Sequence, residues 1–319
     1  MKMISVVSAC FNEEENVREL IDRVREVFTG LPQYAYEHIF IDNHSSDGTV
    51  DILRGIAASD SRVRVIVNQR NFGHIRSPFH GLLQARGEAV LSLTSDLQDP
   101  PEMIPMFLAK WEEGYKVVVG IKSGSEEPSL VFALRKAYYS VITRLSDIEL
   151  VRNFTGFGLY DQQVIMQLRL IDDPYPYFRG LICDLGYQRA EVFYHQPVRK
   201  RGKTKNGFYT LFDMAMLGIT NHTKVPLRLA TMAGFLLAFL SLAVAVGYFV
   251  YKLFMWDSFQ LGMAPIVIGL FFFSSVQLMF IGVLGEYIGA IHTQVLKRPR
   301  VVERERVNFP DESTGGKSA

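Results

Sequence analysis

Two stretches of this chain, residues 229–251 and 258–285, carry no charged side chain. As a helix the first would be about 34 Å long at about 1.5 Å per residue, and the second longer still. Both exceed the roughly 18 residues at which a membrane span becomes the default reading, and neither leaves a polar face to meet water. The alternative, a pair of buried core helices, fits such lengths poorly. Lys224 and Arg228 flank the first run, Lys297, Arg298 and Arg300 follow the second, and the short hairpin between them holds only Lys252 beside Asp257. The excess of positive charge on the outer flanks puts both termini in the cytoplasm. Tyr251, Trp256 and Phe259 supply aromatic anchors for the far interface, and Pro265 is tolerable within a span.

The preceding part of the chain reads differently. Residues 4–8, 38–42, 63–67, 89–93 and 116–120 are short apolar runs rich in β-branched residues, and residues 15–28, 49–59, 75–85 and 102–112 between them have helical periodicity. That alternation predicts an α/β domain built on a doubly wound, mostly parallel sheet. Ligands of such sheets bind beyond the carboxyl ends of the strands, near the point where strand order reverses. No Gly-x-Gly-x-x-Gly follows the first strand and there is no Walker loop, so neither a dinucleotide fold nor a P-loop is indicated. A formal net charge of +1 gives no general attraction to nucleic acid. The two cysteines, Cys10 and Cys183, cannot build a disulfide framework, and the seven histidines are too scattered for a metal-ligand set. Residues 1–11 are too short for a secretory signal and run directly into Asn12-Glu13-Glu14-Glu15.

The polar residues gather at the strand ends. Ala9-Cys10-Phe11-Asn12-Glu13 closes the first strand and Asp42-Asn43-His44-Ser45-Ser46-Asp47-Gly48-Thr49 the second. Asn68-Gln69-Arg70-Asn71 follows the third, and Ser95-Asp96-Leu97-Gln98-Asp99-Pro100-Pro101-Glu102 the fourth. In this order and spacing the segments resemble the family-2 glycosyltransferases of GT-A fold, the Asp42 segment matching Asp-Asp-Gly-Ser-x-Asp-x-Thr and Asp96-Leu97-Gln98 matching Asp-x-Asp-Leu-Gln. Gly285-Glu286-Tyr287-Ile288-Gly289 and Lys297-Arg298-Pro299 are similar to the two-span polyisoprenyl-phosphate glycosyltransferases of the GtrB type, relatives of the dolichyl-phosphate mannose synthases. The organisation expected is a cytoplasmic transferase domain over residues 1–205, an interfacial amphipathic helix over 206–225, a transmembrane hairpin over 226–295, and a cytoplasmic tail over 296–319 whose polar end is disordered. For the 208–222 segment a soluble core helix is the alternative.

The resemblance implies a nucleotide-sugar donor, a polyprenyl-phosphate acceptor and Mg²⁺ or Mn²⁺ as cofactor. Asp96 is the expected metal ligand with Gln98 in support, a turn cap being the other reading of Asp96. Ala9, Phe11, Glu13 and Asp42 are implied at the nucleoside, although Asp42 also suits an ordinary turn, Ser95 at the nucleotide sugar, and Arg70 at the donor diphosphate, a solvated loop arginine being its other reading. Asp47 reads as the N-cap of the helix at Thr49, and Asp99, followed by Pro100, as the cap of the next. Thr94 stands where the family has the first Asp of the metal motif. Gly156-Phe157-Gly158-Leu159 lacks the acidic and basic residues of the family's Gly-Asp-Phe-Arg-Leu, so no general base carries over there. A phosphate acceptor, already anionic near neutral pH with a second pKa of about 6, needs positive charge more than a base. Lys122, Arg135 and the basic run containing Arg199, Arg201 and Lys205 are the candidates, with a solvated surface or headgroup attraction as their other reading.

The expected activity is inverting transfer of a sugar, glucose from UDP-glucose in the first instance, to undecaprenyl phosphate or a similar lipid at the cytoplasmic face. GDP-mannose with a dolichyl-type acceptor, or a non-catalytic membrane-anchored nucleotide-binding module, are the alternatives. A processive polysaccharide synthase is disfavoured, because neither Trp111 nor Trp256 lies in a Gln-x-x-Arg-Trp motif. Ser274, Ser275 and Gln277 offer polar contacts for helix packing in a homo-oligomer.

Overall fold

The structure, a computed structural model, describes residues 1–123, 151, 153–197, 216–217, 223–254 and 263–310. Strands β1 (Lys2–Cys10), β2 (Tyr34–Asp42), β3 (Val63–Asn68), β4 (Ala89–Thr94) and β5 (Val117–Lys122) alternate with helices α1 (Val17–Thr29), α2 (Thr49–Ser59), α3 (Gly73–Gln84) and α4 (Ile104–Glu112). After the undescribed stretch come β6 (Phe154–Asp161), α5 (Gln162–Leu170), α6 (Phe178–Asp184) and β7 (Arg189–Tyr194), then two long helices, α7 (Val225–Phe254) and α8 (Met263–Val295), and a last strand β8 (Glu303–Val307).

The eight strands form one sheet in the order β7-β5-β6-β4-β1-β2-β3-β8. β1 is parallel to both β2 and β4, so the order reverses across the β1–β4 pair. β6 runs antiparallel between β4 and β5, and β8 antiparallel to β3. Ile39, Phe40 and Ile41 are completely buried in succession because helices cover both faces. One core holds α1, whose Val17, Leu20, Ile21, Val24 and Phe28 fall on one stripe, and the opposite core takes Phe79 and Leu82 of α3 and Val164, Ile165 and Leu168 of α5. Truncating fully buried Leu20 to alanine is the kind of change that costs about 2–5 kcal/mol. Gly158 keeps β6 close to its neighbour, since a Cβ there would lie 2.3 Å from the Val118 carbonyl oxygen.

The apolar runs form two helices long and apolar enough to cross a membrane, over Val225–Tyr251 and Ile268–Val295, with none of that length buried inside the molecule. The Tyr287 hydroxyl donates to the Thr223 carbonyl at 2.8 Å, so the outer ends of the two helices meet on the side of the sheet. Ser275 hydrogen-bonds the Phe271 carbonyl of its own helix at 2.8 Å.

Beyond α8 the chain does not trail away as a separate tail. Residues 303–307 join the sheet as β8, where Arg54 Nε donates to Glu305 at 3.1 Å, His80 meets Glu303 at 2.5 Å, and Asn308 Nδ2 donates to the Ala57 and Val63 carbonyls at 2.7 and 2.8 Å. Two expected caps are corrected. Gly48 occupies the cap position of α2, with Asp47 supporting it from one residue earlier by accepting from the Thr49 N–H at 3.0 Å. Asp99 caps nothing: the following turn is a 3₁₀ helix, Pro101–Met103, capped at Pro100, and the Asp99 side chain points into the sheet end. Arg135 and the amphipathic helix expected over 208–222, apart from Met216 and Leu217, lie outside the described residues.

His38 of β2 is buried, with Nε2 3.0 Å from the Ser8 hydroxyl and Nδ1 without a hydrogen-bond partner. Burial pushes its pKa from 6.5 down to about 3. Between those values the unfolded chain binds one proton that the folded chain does not. Acidification therefore destabilises the fold through this group by about 1.4 kcal/mol per pH unit. Denaturant unfolding of the detergent-solubilised protein at pH 6.5, 5.5 and 4.5 should show a shallower loss of stability in a His38→Gln variant. An unchanged slope contradicts this assignment.

Candidate active site

The tips of β1, β2 and β4 are sewn together by side chains. Ser95, itself buried, donates to the Ala9 carbonyl at 2.8 Å and ties the loop after β4 to the end of β1. Asn12 sits in the left-handed region at φ 57, a conformation that asparagine tolerates, and donates its N–H to the Ser45 hydroxyl at 2.8 Å. The Glu13 N–H donates to the Thr49 hydroxyl at 2.9 Å, and the Glu13 carboxylate accepts from Asn16 at 2.6 Å. Asp42 is fully buried and turned into its own loop, accepting from the Ser45 N–H at 2.9 Å, from the Ser45 hydroxyl, and from the Cys10 thiol at 3.7 Å. Arg70 is exposed, lies over the Phe72 ring at 4.0 Å and donates to the Asn71 carbonyl at 3.0 Å.

Sequence reasoning passed over Asn43 and Asn68. Asn43 Oδ1 accepts from Asn68 Nδ2 at 3.2 Å and from the Phe72 N–H at 2.9 Å, while its amide donates to Asn71 and to the Gly73 carbonyl. These amides fix where the third loop turns into α3.

The acidic end of the site is built around one hydroxyl. Thr94 Oγ1 lies 2.8 Å from Asp96 Oδ1 and 2.8 Å from Asp99 Oδ2. A threonine hydroxyl carries a single proton, so it satisfies only one of two ionised carboxylates at a time. Asp96 also accepts from the Gln98 N–H at 3.2 Å, across a turn in which Leu97 adopts φ 61. Asp99 is buried and takes a further hydrogen bond from the Tyr194 hydroxyl at 3.0 Å. Burial pushes the Asp99 carboxyl above its ordinary range, and the neighbouring Asp96 charge adds to this. Hydrogen bonds from Thr94 and Tyr194 and the positive charge of Lys122 oppose it.

This donor set suits a hard divalent cation. The two carboxylates and the hydroxyl gathered here are oxygen ligands of the kind that Mg²⁺ and Mn²⁺ prefer. Among the described residues no group of three or more His, Cys, Asp or Glu side chains converges on one point. That also fits Mg²⁺, which is commonly held by one or two carboxylates together with substrate phosphates.

A cleft of about 300 Å³ opens beside this cluster, with Ala9, Thr94, Asp99, Thr155, His74 and Arg179 among its walls. Gly156, at φ +103, forms part of the same wall where the family's acidic residue is missing. Asp99 is the carboxylate that faces this stretch among the described residues lining the cleft. The expected residues Ala9, Ser95, Asp96, Gln98 and Lys122 thus collect at one end of the sheet, with Phe11, Glu13 and Asp42 on the adjoining loops and Arg70 at the outer edge. Arg135, Arg199, Arg201 and Lys205 lie outside the described residues. Asp99 and Tyr194 are site residues that the sequence did not reveal. The Asp-Pro-Pro-Glu pattern looked like a helix cap, and Tyr194 is distant in sequence.

A family model described as Glycosyl transferase family 2 matches residues 5–169. The chain belongs to this family. The bactoprenol glucosyl transferase of Shigella phage SfX is 32% identical over 95% of this chain and 99% of its own length. The glycosyltransferase YkcC of Bacillus subtilis (strain 168) is 32% identical over 92% of this chain and 91% of its own. Among solved structures, glucosyl-3-phosphoglycerate synthase from Mycobacterium tuberculosis, in complex with Mn²⁺, uridine-diphosphate and phosphoglyceric acid, gives a TM-score of 0.50. It is 22% identical, and the match covers 69% of this chain and 76% of that one. This likeness shows the GT-A fold of the catalytic sheet.

Asp99 separates a structural from a ligating role by experiment. Asp99→Asn keeps the shape and the hydrogen bond from Tyr194 but gives up the acceptor for the Thr94 N–H, so the midpoint of thermal unfolding should move by the equivalent of about 1–3 kcal/mol. Binding of Mn²⁺ in the presence of uridine diphosphate, followed by electron paramagnetic resonance, should weaken at least about tenfold. Unchanged Mn²⁺ binding with a large loss of stability would make Asp99 a packing residue only.

Proposed function

We propose that this glycosyltransferase moves a sugar, glucose from UDP-glucose in the first instance, onto a polyprenyl phosphate such as undecaprenyl phosphate. Transfer takes place at the cytoplasmic membrane face and inverts the anomeric carbon. One observation carries this reading. The cleft that holds Thr94 and Asp99 is walled by the same segment, residues 174–179, that walls a cavity at the sheet-side end of a helix long enough to cross a membrane. The similarity to bactoprenol glucosyl transferases over nearly the whole chain supports the same acceptor class.

In this reading Ala9, Phe11, Glu13 and Asp42 receive the nucleoside, with Asp42 also holding the loop in shape through Ser45. Arg70 is proposed to meet the diphosphate, and Ser95 to contribute to the nucleotide-sugar pocket by holding the Ala9 end of β1. Asp96, with Gln98 and Asp99 beside it, would hold Mg²⁺ or Mn²⁺, which when bound neutralises negative charge growing on the departing diphosphate. An oxygen of the acceptor phosphate forms the bond to the anomeric carbon as the bond from that carbon to the nucleoside diphosphate breaks. The bonding pair leaves with the diphosphate. No proton has to move, because the attacking phosphate is already anionic, and this accommodates the missing acidic residue near Gly156. Attack opposite the leaving group inverts the centre. The chain's own contribution is to bring two anions together against their repulsion. Lys122, whose charge bears on Asp99, serves this end, and Arg135, Arg199, Arg201 and Lys205 are proposed for the same task.

The test is turnover of purified protein with a short polyprenyl phosphate, Mg²⁺ and a panel of donors including UDP-glucose and GDP-mannose. Glycolipid should form with UDP-glucose, and Asp96→Ala should lower turnover by at least about 100-fold. Preference for GDP-mannose would move the assignment to mannosyl transfer. Nucleotide binding without transfer from any donor would favour a non-catalytic module, the reading that Thr94 in place of the family's aspartate motivates. The pairing of Asp99 with Asp96 across Thr94 weighs against that module.

A further inference from the structure

A second cavity, of about 330 Å³, lies where the end of α8 meets the catalytic domain. Arg76 of α3 and Arg298 supply its charge, Tyr175 and Thr293 its hydroxyl groups, and Leu217 and Leu296 part of its apolar wall. No acidic residue lines it among the described residues. Asp173 lies close by, but its carboxylate accepts from Gln294 Nε2 at 3.1 Å and from the Tyr175 N–H at 2.8 Å, and its carbonyl accepts from Arg300 Nε at 2.8 Å. These bonds bolt the end of α8 to the loop before α6 and give the cavity a fixed floor.

Arg76 is the telling residue. Its guanidinium rests between the rings of Phe72 and Tyr175, at 5.8 and 5.6 Å, and its Nε is buried with no hydrogen-bond partner. Among the described residues it forms no ion pair. A buried guanidinium nitrogen without an acceptor carries a desolvation cost, which a bound anion would remove. The planar donor array of arginine suits a phosphate.

The surroundings narrow the choice of anion. Three turns earlier on α8, Met279 lies on the same helical face as Ala290 and Gln294 and is 60% exposed, which carries the apolar wall away from the sheet along the helix. A ligand with a phosphate at one end and a long hydrocarbon at the other would satisfy both parts. The cavity also shares walls with the catalytic cleft: Pro174 and Tyr175 face it while Pro176, Tyr177 and Arg179 face the cleft, and Arg76 follows His74 and Ile75 of the cleft on α3.

We propose that this cavity is the docking site for the phosphate head of the prenyl acceptor, held between Arg76 and Arg298, with the prenyl chain lying along α8. The assignment rests on the acceptor class given under Proposed function. The 174–179 segment walls both this position and the cleft, so the site delivers the acceptor to the transfer centre rather than performing the transfer.

The experiment measures binding with no donor sugar present. Full-length protein in detergent is titrated with a fluorescent short-chain polyprenyl phosphate, with inorganic phosphate, the matching prenyl alcohol and phosphatidylglycerol as competitors. Wild-type protein should bind saturably, the double variant Arg76→Gln/Arg298→Gln should bind at least tenfold more weakly, and Arg76→Lys should fall between them. Unlabelled polyprenyl phosphate should compete far better than the other three. Equal binding by the double variant at an unchanged melting temperature overturns the proposal. Equal competition by phosphatidylglycerol, or by inorganic phosphate, also overturns it, in favour of a general anion site. If the double variant melts early, Arg76→Lys at the wild-type melting temperature decides instead, and wild-type affinity in it counts against Arg76. Failure of the transferase reading looks different: phosphate-dependent binding intact, and no sugar transferred from any donor.

Discussion

A chain that leaves an apolar helix at Val295 and pairs with β3 from Glu303 has only residues 296–302 in which to turn, so the end of α8 is held against the edge of the catalytic sheet. The rest of the arrangement depends on this tether. Arg300 donates to the carbonyls of Ile171 and Asp173, Gln294 to the Asp173 carboxylate, and β8 is clamped by Arg54 and His80. Exposed ion pairs are individually worth little. Here they accompany main-chain pairing and several hydrogen bonds to buried carbonyls, and together they fix an orientation. Glu303 belongs to this set: burial alone would raise its carboxyl, but hydrogen bonds from His80 and Arg306 outweigh that and hold it down to about 2.

The catalytic end faces the opposite electrostatic problem. Two carboxylates meet at one hydroxyl, and the more buried of them is supported by a tyrosine and faces a lysine. Such an arrangement is uncomfortable when both acids are ionised and nothing positive lies between them, and it becomes favourable once a cation does. The same logic extends along the proposed reaction path, from the diphosphate to the anionic acceptor and its arginines. On the proposed reaction path, charge balance rather than proton transfer is what these residues supply.

Much of this was legible in the sequence. β1 to β5 and α1 to α4 announced themselves because a sheet covered on both faces must be written in apolar runs, and the uncharged stretches of α7 and α8 left little choice. β8 was not legible. Glu303-Arg304-Glu305-Arg306 alternates charges without an apolar face, and its strand character comes from the partner edge it completes. β6 was missed because glycines at Gly156 and Gly158 weaken its pattern, although Gly158 is what allows the close approach to Val118. At the site, local rules misled at Asp99. A capping motif and a buried ligand share the same letters, and only the distant Tyr194 distinguishes them.

The position of β8 has a consequence for biosynthesis. The strand that finishes the sheet is translated after both hydrophobic helices, so β3 keeps an open edge throughout synthesis of the catalytic domain and of the hairpin. A chain truncated by a stop codon within or after α8 would display that unpaired edge to chaperones and proteases. The sheet is thus completed only after both apolar helices have been synthesised, and a chain with a finished sheet always carries them.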